Sequence, residues 1–179
     1  MADPAAMAYR LRAMSESSVP STPDHGPTDD PAEVVRRFLG LLEAGDTEGA
    51  TGLMADDVTY VNVSLPALRG RDRIRRVLTR ALAVRGSGFE AYIHAISTDG
   101  GTTVLTERTD VLIVGPVRVQ IWVCGRFDVH DGRIVLWRDY FDWGNVAAAT
   151  VRGLLGAALP ALRPSPPGPA GRGNFDPDR

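Results

Sequence analysis

Five polar side chains stand on strand faces where the pattern calls for apolar ones. The stretch LTERTDVLIV, residues 105–114, has the β-branched and apolar content of a strand and follows a Gly-Gly turn. Strand alternation puts Thr106, Arg108, Asp110, Leu112 and Val114 on one face. A full positive and a full negative charge therefore share a face with aliphatics that read as buried. In RIVLWRDYFDW, residues 133–143, Trp137, Asp139 and Phe141 share a face, opposite Arg138, Tyr140 and Asp142. In VTYVNVSL, residues 58–65, Tyr60 and Asn62 point the same way. Charges are seldom fully buried unless paired, and such pairing rarely adds net stability. Function is the natural reading.

If the three faces converge, one pocket holds Asp110, Arg108, Asp139, Tyr60 and Asn62. Leu112, Ile121, Val123 and Phe141 supply its apolar wall. Two carboxylates flanking one guanidinium suit the planar fork of arginine. In an apolar pocket, burial and the second carboxylate both favour protonating one acid. The pair then titrates as a unit, giving one general base and one general acid near neutral pH. Tyr60 and Asn62 could hold a water against the base. This set suits addition of water to a substrate whose departing oxygen needs a proton. By themselves the residues name neither the substrate nor which aspartate is the base.

Positioning these groups requires a curved sheet. Asp29 or Asp30 caps a first helix, PAEVVRRFLGLLEAG, with Pro31 in its first turn and Gly45 as its stop. DTEGATGLMA reads as a short helix capped by Asp46, VTYVNVSL as a strand, and GRDRIRRVLTRALAV as a helix. Four strands joined by short turns follow: FEAYIHAISTDG, TTVLTERTDVLIV, VRVQIWVCGRFDVHDG and RIVLWRDYFDW. An Ala-rich helix ends the folded region. The order predicts an α+β fold, a strongly curved mixed sheet with helices packed on its concave side to form a cone. Such a cone has an apolar pocket open at one end.

The expected division is a disordered tail over 1–29, a catalytic domain over 30–148, the Ala-rich helix over 149–163 and a disordered tail over 164–179. Both tails are too rich in Pro, Ser and Gly to bury much apolar surface. The helix either closes the pocket mouth or packs across a dimer interface. A formal charge of −2 with no lysine provides no electrostatic footprint for nucleic acid or an anionic membrane. One cysteine, Cys124, excludes an intrachain disulfide and fits a reducing compartment. No signal-peptide core or membrane-length apolar run is visible, so a cytoplasmic protein is expected. The Ala, Gly, Pro and Arg usage suits a GC-rich bacterial genome.

The strings Y-x-N (60–62), TERTDVL (106–112) and WRDYFD (137–142) resemble the limonene-1,2-epoxide hydrolase family, over about residues 30–145. Gly132 completes the last frame. The family's cone-shaped fold is shared with nuclear transport factor 2 and ketosteroid isomerase. The resemblance implies that Asp139 deprotonates the attacking water, held also by Tyr60 and Asn62. It implies that Asp110 protonates the epoxide oxygen, and that Arg108 sits between the acids and keeps their roles distinct. It further implies a homodimer, no metal or cofactor, and a small hydrophobic epoxide as substrate.

Other readings compete. Arg108 and Asp110 could form a structural ion pair on a solvated face. A related isomerase or cyclase would use one acid to move a proton at carbon, and a binding domain would keep the pocket without turnover. A carbon-proton shuttle needs only one base and an oxyanion donor, so the second acid and the arginine favour hydrolysis. His94 reads as a core or rim residue, Cys124 as a small buried hydrophobe, and the 71–76 arginine cluster as a solvated helix face. The three histidines make no metal site, and no GxSxG nucleophile motif is present.

Overall fold

A computed structural model describes residues 30–165 and residue 167. The expected tail over 1–29 lies outside the described residues. Helix α1, Pro31–Glu43, starts where the Asp30 carboxylate accepts from the Ala32 N–H at 2.9 Å. Its apolar stripe is buried: Val34, Val35, Phe38, Leu39 and Leu42. Gly45, at φ +74°, turns the chain beyond it. Helix α2, Thr47–Gly52, is capped by Asp46. Strand β1, Met54–Asn62, and the two-residue β2, Leu68–Arg69, precede helix α3, Arg71–Leu82. The short β2 was not expected; two residues between Pro66 and Gly70 carry no readable period.

Four long strands follow: β3 Ser87–Thr98, β4 Thr103–Val114, β5 Val117–His130 and β6 Arg133–Tyr140. The six-stranded sheet runs β2-β1-β6-β5-β4-β3. The β1–β6 pair is parallel and the other pairs are antiparallel, so the sheet is mixed. Register shifts fall in the β1–β6, β3–β4 and β5–β6 ladders. Such irregularities bend strands and help curl a sheet around a helix. Phe38 of α1 meets Phe127 and Trp137 at centroid distances of 6.1 and 5.0 Å. Helix α1 therefore covers the same sheet face that carries Asp139. This is the α+β cone expected from the sequence.

Some boundaries differ from expectation. Strand β1 spans Met54–Asn62 rather than 58–65, so Met54 and Ala55 belong to it and not to the short helix before it, and the last helix starts earlier. Helix α4 runs Trp143–Ala158, followed by a 3₁₀ turn over Pro160–Leu162. An expected boundary between 148 and 149 would cut this helix. Its start is set by Asp142, whose carboxylate accepts from the Asn145 N–H at 2.7 Å. Its end precedes Pro160, which cannot donate a backbone hydrogen bond. Helix α4 packs against β5. The expected tail from 164 lies mostly outside the described residues. Within them, the Ser165 carbonyl accepts from Gln120 Nε2 at 2.8 Å and Pro167 is buried. Among the described residues no helix is long and apolar enough to cross a membrane.

Candidate active site

The site lies where β1, β6, β5 and β4 run side by side. Register places Asn62 beside Asp139 and Tyr60 beside Trp137 across the parallel β1–β6 pair. Asp139 faces Gly125 of β5, and Gly125 faces Thr106 of β4. Arg108 and Asp110 lie two and four residues beyond Thr106, on the same face of β4. One strand therefore separates Arg108 from Asp139.

Arg108 crosses that strand. Its Nε donates to Asp110 Oδ1 at 2.8 Å and its Nη2 to Asp110 Oδ2 at 3.1 Å, a bidentate grip. Nη2 also lies 2.8 Å from Asp139 Oδ1. That ion contact is short but falls outside the directional range of a hydrogen bond. Nη1 donates to Thr106 Oγ1 at 3.1 Å. The guanidinium carbon stands 5.9 Å from the centroid of the Phe127 ring. Arg108 is fully buried, so the reading of its pair as a solvated surface bridge fails.

Gly125 makes the crossing possible. A Cβ there would collide with Nη1 of Arg108 and lie 2.6 Å from Thr106 Oγ1. Neither Gly125 nor Thr106 was singled out from the sequence. The available signal was a glycine in the interior of a long strand, which marks close approach of another group.

Tyr60 and Asn62 pair beside Asp139. Tyr60 Oη and the Asn62 amide are joined by contacts of 2.8 and 3.1 Å, with the Asn62 N–H donating in the shorter one. Burial, then the charge of Asp139, pushes the Tyr60 phenol up, so it stays neutral and able to donate. Burial also raises both acids. Asp110 is pushed up to about 6 against the pull of Arg108, and Asp139 is raised for the same reason. Burial lowers the Arg108 value, but the two carboxylates outweigh it and hold the guanidinium charged. Two raised acids around one fixed cation form a centre that readily carries one proton.

These groups close the polar end of a cavity of about 460 Å³. Tyr60, Asn62, Asp110 and Asp139 all line it. So do the four expected apolar residues, Leu112, Ile121, Val123 and Phe141. Helix α3 adds Leu78 and Leu82, and the first turn of α4 adds Trp143 and Val146. Leu112 and Val114 read as buried from the sequence yet are 45% and 55% exposed, although both line the cavity. His94 lies outside the site, with Nε2 2.8 Å from Thr109 Oγ1. Thr109 belongs to the β4 face opposite Arg108 and Asp110. Cys124 is half-buried rather than buried. Among the described residues no group of three or more His, Cys, Asp or Glu comes together as a metal site.

Comparison with known proteins adds to this geometry. The sequence model of the limonene-1,2-epoxide hydrolase catalytic domain matches residues 29–152. Epoxide hydrolase EphG of Mycobacterium tuberculosis (strain ATCC 25618 / H37Rv) is 46% identical over 130 residues, 72% of this chain and 85% of that protein. The solved structure of an M. tuberculosis LEH-like epoxide hydrolase superposes with a TM-score of 0.71 at 43% identity, covering 76% of this chain and 95% of that one. A Catenulispora acidiphila protein with a ketosteroid isomerase-like fold matches at a TM-score of 0.59 and 20% identity, covering 66% of this chain and 92% of that one. That last likeness concerns the fold alone.

Proposed function

This chain belongs to the limonene-1,2-epoxide hydrolase family and is an epoxide hydrolase, and on that premise we propose that it opens its substrate in one acid–base step. The observation that carries the proposal is Arg108, buried and held 2.8 Å from Asp110 and 2.8 Å from Asp139 at the end of an apolar cavity. Asp139, as carboxylate, takes a proton from a water that Tyr60 and Asn62 hold. The water oxygen bonds to one epoxide carbon as the carbon–oxygen bond there breaks. The bonding pair goes to the epoxide oxygen, which takes a proton from Asp110. The product is a vicinal diol. One proton must then return from Asp139 to Asp110, so the pair carries one proton through each cycle. Arg108 remains charged throughout and keeps the acids in register.

The cavity supports a hydrophobic substrate, terpene-, steroid- or lipid-like. Its polar groups gather at one end, while Leu78, Leu82, Leu112, Phe141 and Trp143 surround the rest. In this reading the catalytic unit runs from residue 30 into the first turn of α4, since Trp143 and Val146 line the cavity. The reaction needs the epoxide and water, with no cofactor, metal or nucleic acid. A homodimer belongs to the reading as well. Leu105, Trp122 and Tyr140 remain exposed on the sheet face away from the site, and exposed apolar side chains suit a second copy. Diol formation from a panel of terpene, steroid and fatty-acid epoxides tests the proposal. Turnover of at least one hydrophobic epoxide is expected, and indifference to the whole panel would count against the substrate class.

A further inference from the structure

Trp137 is buried at the cavity floor, two residues before Asp139 on the same face of β6. Three rings fix its indole. It stacks on Tyr60 with centroids 4.0 Å apart and planes 29° apart. Phe38 meets it edge-on at 5.0 Å, and Phe127 lies nearly parallel at 6.2 Å. These contacts serve the carbon surface and leave the N–H. Nε1 is buried with no hydrogen-bond partner. Among the described residues, one other buried side-chain polar atom shares that condition, Oδ1 of Asp139. Buried polar groups in folded proteins are nearly always paired. Here an unpaired donor and an unpaired acceptor occupy neighbouring same-face positions on one strand.

We propose that the indole N–H of Trp137 is the hydrogen-bond donor to Oδ1 of Asp139, which makes Trp137 a positioning residue for the base. The proposal rests on the reading of Asp139 as that base. Arg108 supplies its charge to Oδ1 from 2.8 Å. The indole supplies the direction and leaves Oδ2 for the attacking water. A donor to a carboxylate favours its ionised form, the form a base must hold. The same ring, stacked on Tyr60, fixes the hydroxyl that shares the water. The charged and titratable groups facing Asp139 are Arg108 and Asp110 from β4 and Tyr60 from β1. Gly125, its β5 neighbour, contributes none, and Glu43 at the end of α1 acts on Asp110.

Indole-¹⁵N labelling of the full chain provides the test, because the protein has three tryptophans. The Trp122 and Trp143 signals are assigned with Trp122→Phe and Trp143→Phe, both at exposed positions. The Trp137 N–H resonance should move with pH in the wild-type protein and stay still in Asp139→Asn. Trp122, whose N–H donates to Glu107 at 3.2 Å, should behave alike in both and serves as the control. In kinetics, Trp137→Phe keeps the aromatic packing and loses the donor. The low-pH limb of its kcat/KM profile should move up by about one pH unit, a tenfold loss below the limb. A Trp137 resonance that ignores pH, or moves identically in Asp139→Asn, overturns the proposal even if Trp137→Phe fails to fold. The base reading fails separately, through wild-type rates in Asp139→Asn, whatever the resonance does.

Discussion

The guanidinium of Arg108 occupies the space that a side chain at Gly125 would fill. That relationship lets a residue on β4 reach an acid on β6 over the strand between them. Gly125→Ala should therefore displace Arg108 and separate the two acids. Overpacking of this kind costs about 1–3 kcal/mol of stability. The loss of rate should be larger, roughly 10²-fold, because a small misplacement of catalytic groups is expensive. Thermal melting and kcat/KM measured on the same preparation check both. Wild-type values for both would mean that the guanidinium does not sit over residue 125.

Asp139→Asn and Asp110→Asn should each lower kcat by about 10²–10⁴-fold while the fold persists, the usual worth of one general base or acid. Groups that act as a unit are not additive. The double variant should thus be little worse than the weaker single one. Steady-state rates on one epoxide for all three proteins decide this. Near-normal turnover in either single variant removes that acid from the mechanism.

The raised Asp110 value carries a sign for stability. Its ordinary value of 3.8 is pushed up to about 6, by burial above all, so the folded state holds this proton more tightly than the unfolded chain. The contribution is fully present below about pH 3.8 and is lost as pH rises through about 6. Urea unfolding at about pH 4 and about pH 7 should show a drop in the wild type that shrinks in Asp110→Asn. Equal drops in both proteins would show that Asp110 is not the group responsible.

The sequence makes legible what strand alternation alone decides. Arg108 and Asp110 share a face of β4, and Trp137 and Asp139 share a face of β6, because a period of two is local. Helix capping is local as well, so Asp46 is readable as a cap and the first cap is narrowed to Asp29 or Asp30, of which the structure takes Asp30. Gly125 is different. Its importance depends on β4, β5 and β6 lying in one register, a nonlocal fact. Leu112 takes the inward face that alternation predicts yet is 45% exposed, because alternation decides which face a residue takes and not how deeply it is buried. Helix α4 begins earlier than its alanine run suggests. Its first turn is Trp143, Gly144 and Asn145, poor helix formers fixed in place by the Asp142 cap.

The most direct test of the one-step account is a single turnover in ¹⁸O-labelled water with enzyme in excess over a hydrophobic epoxide. Direct attack by a water that Asp139 deprotonates places ¹⁸O in the diol during that first turnover, and leaves no label in the protein. An unlabelled first diol, with ¹⁸O found afterwards in an aspartate carboxylate, would mean that the carboxylate itself attacked the ring. That result would contradict the account.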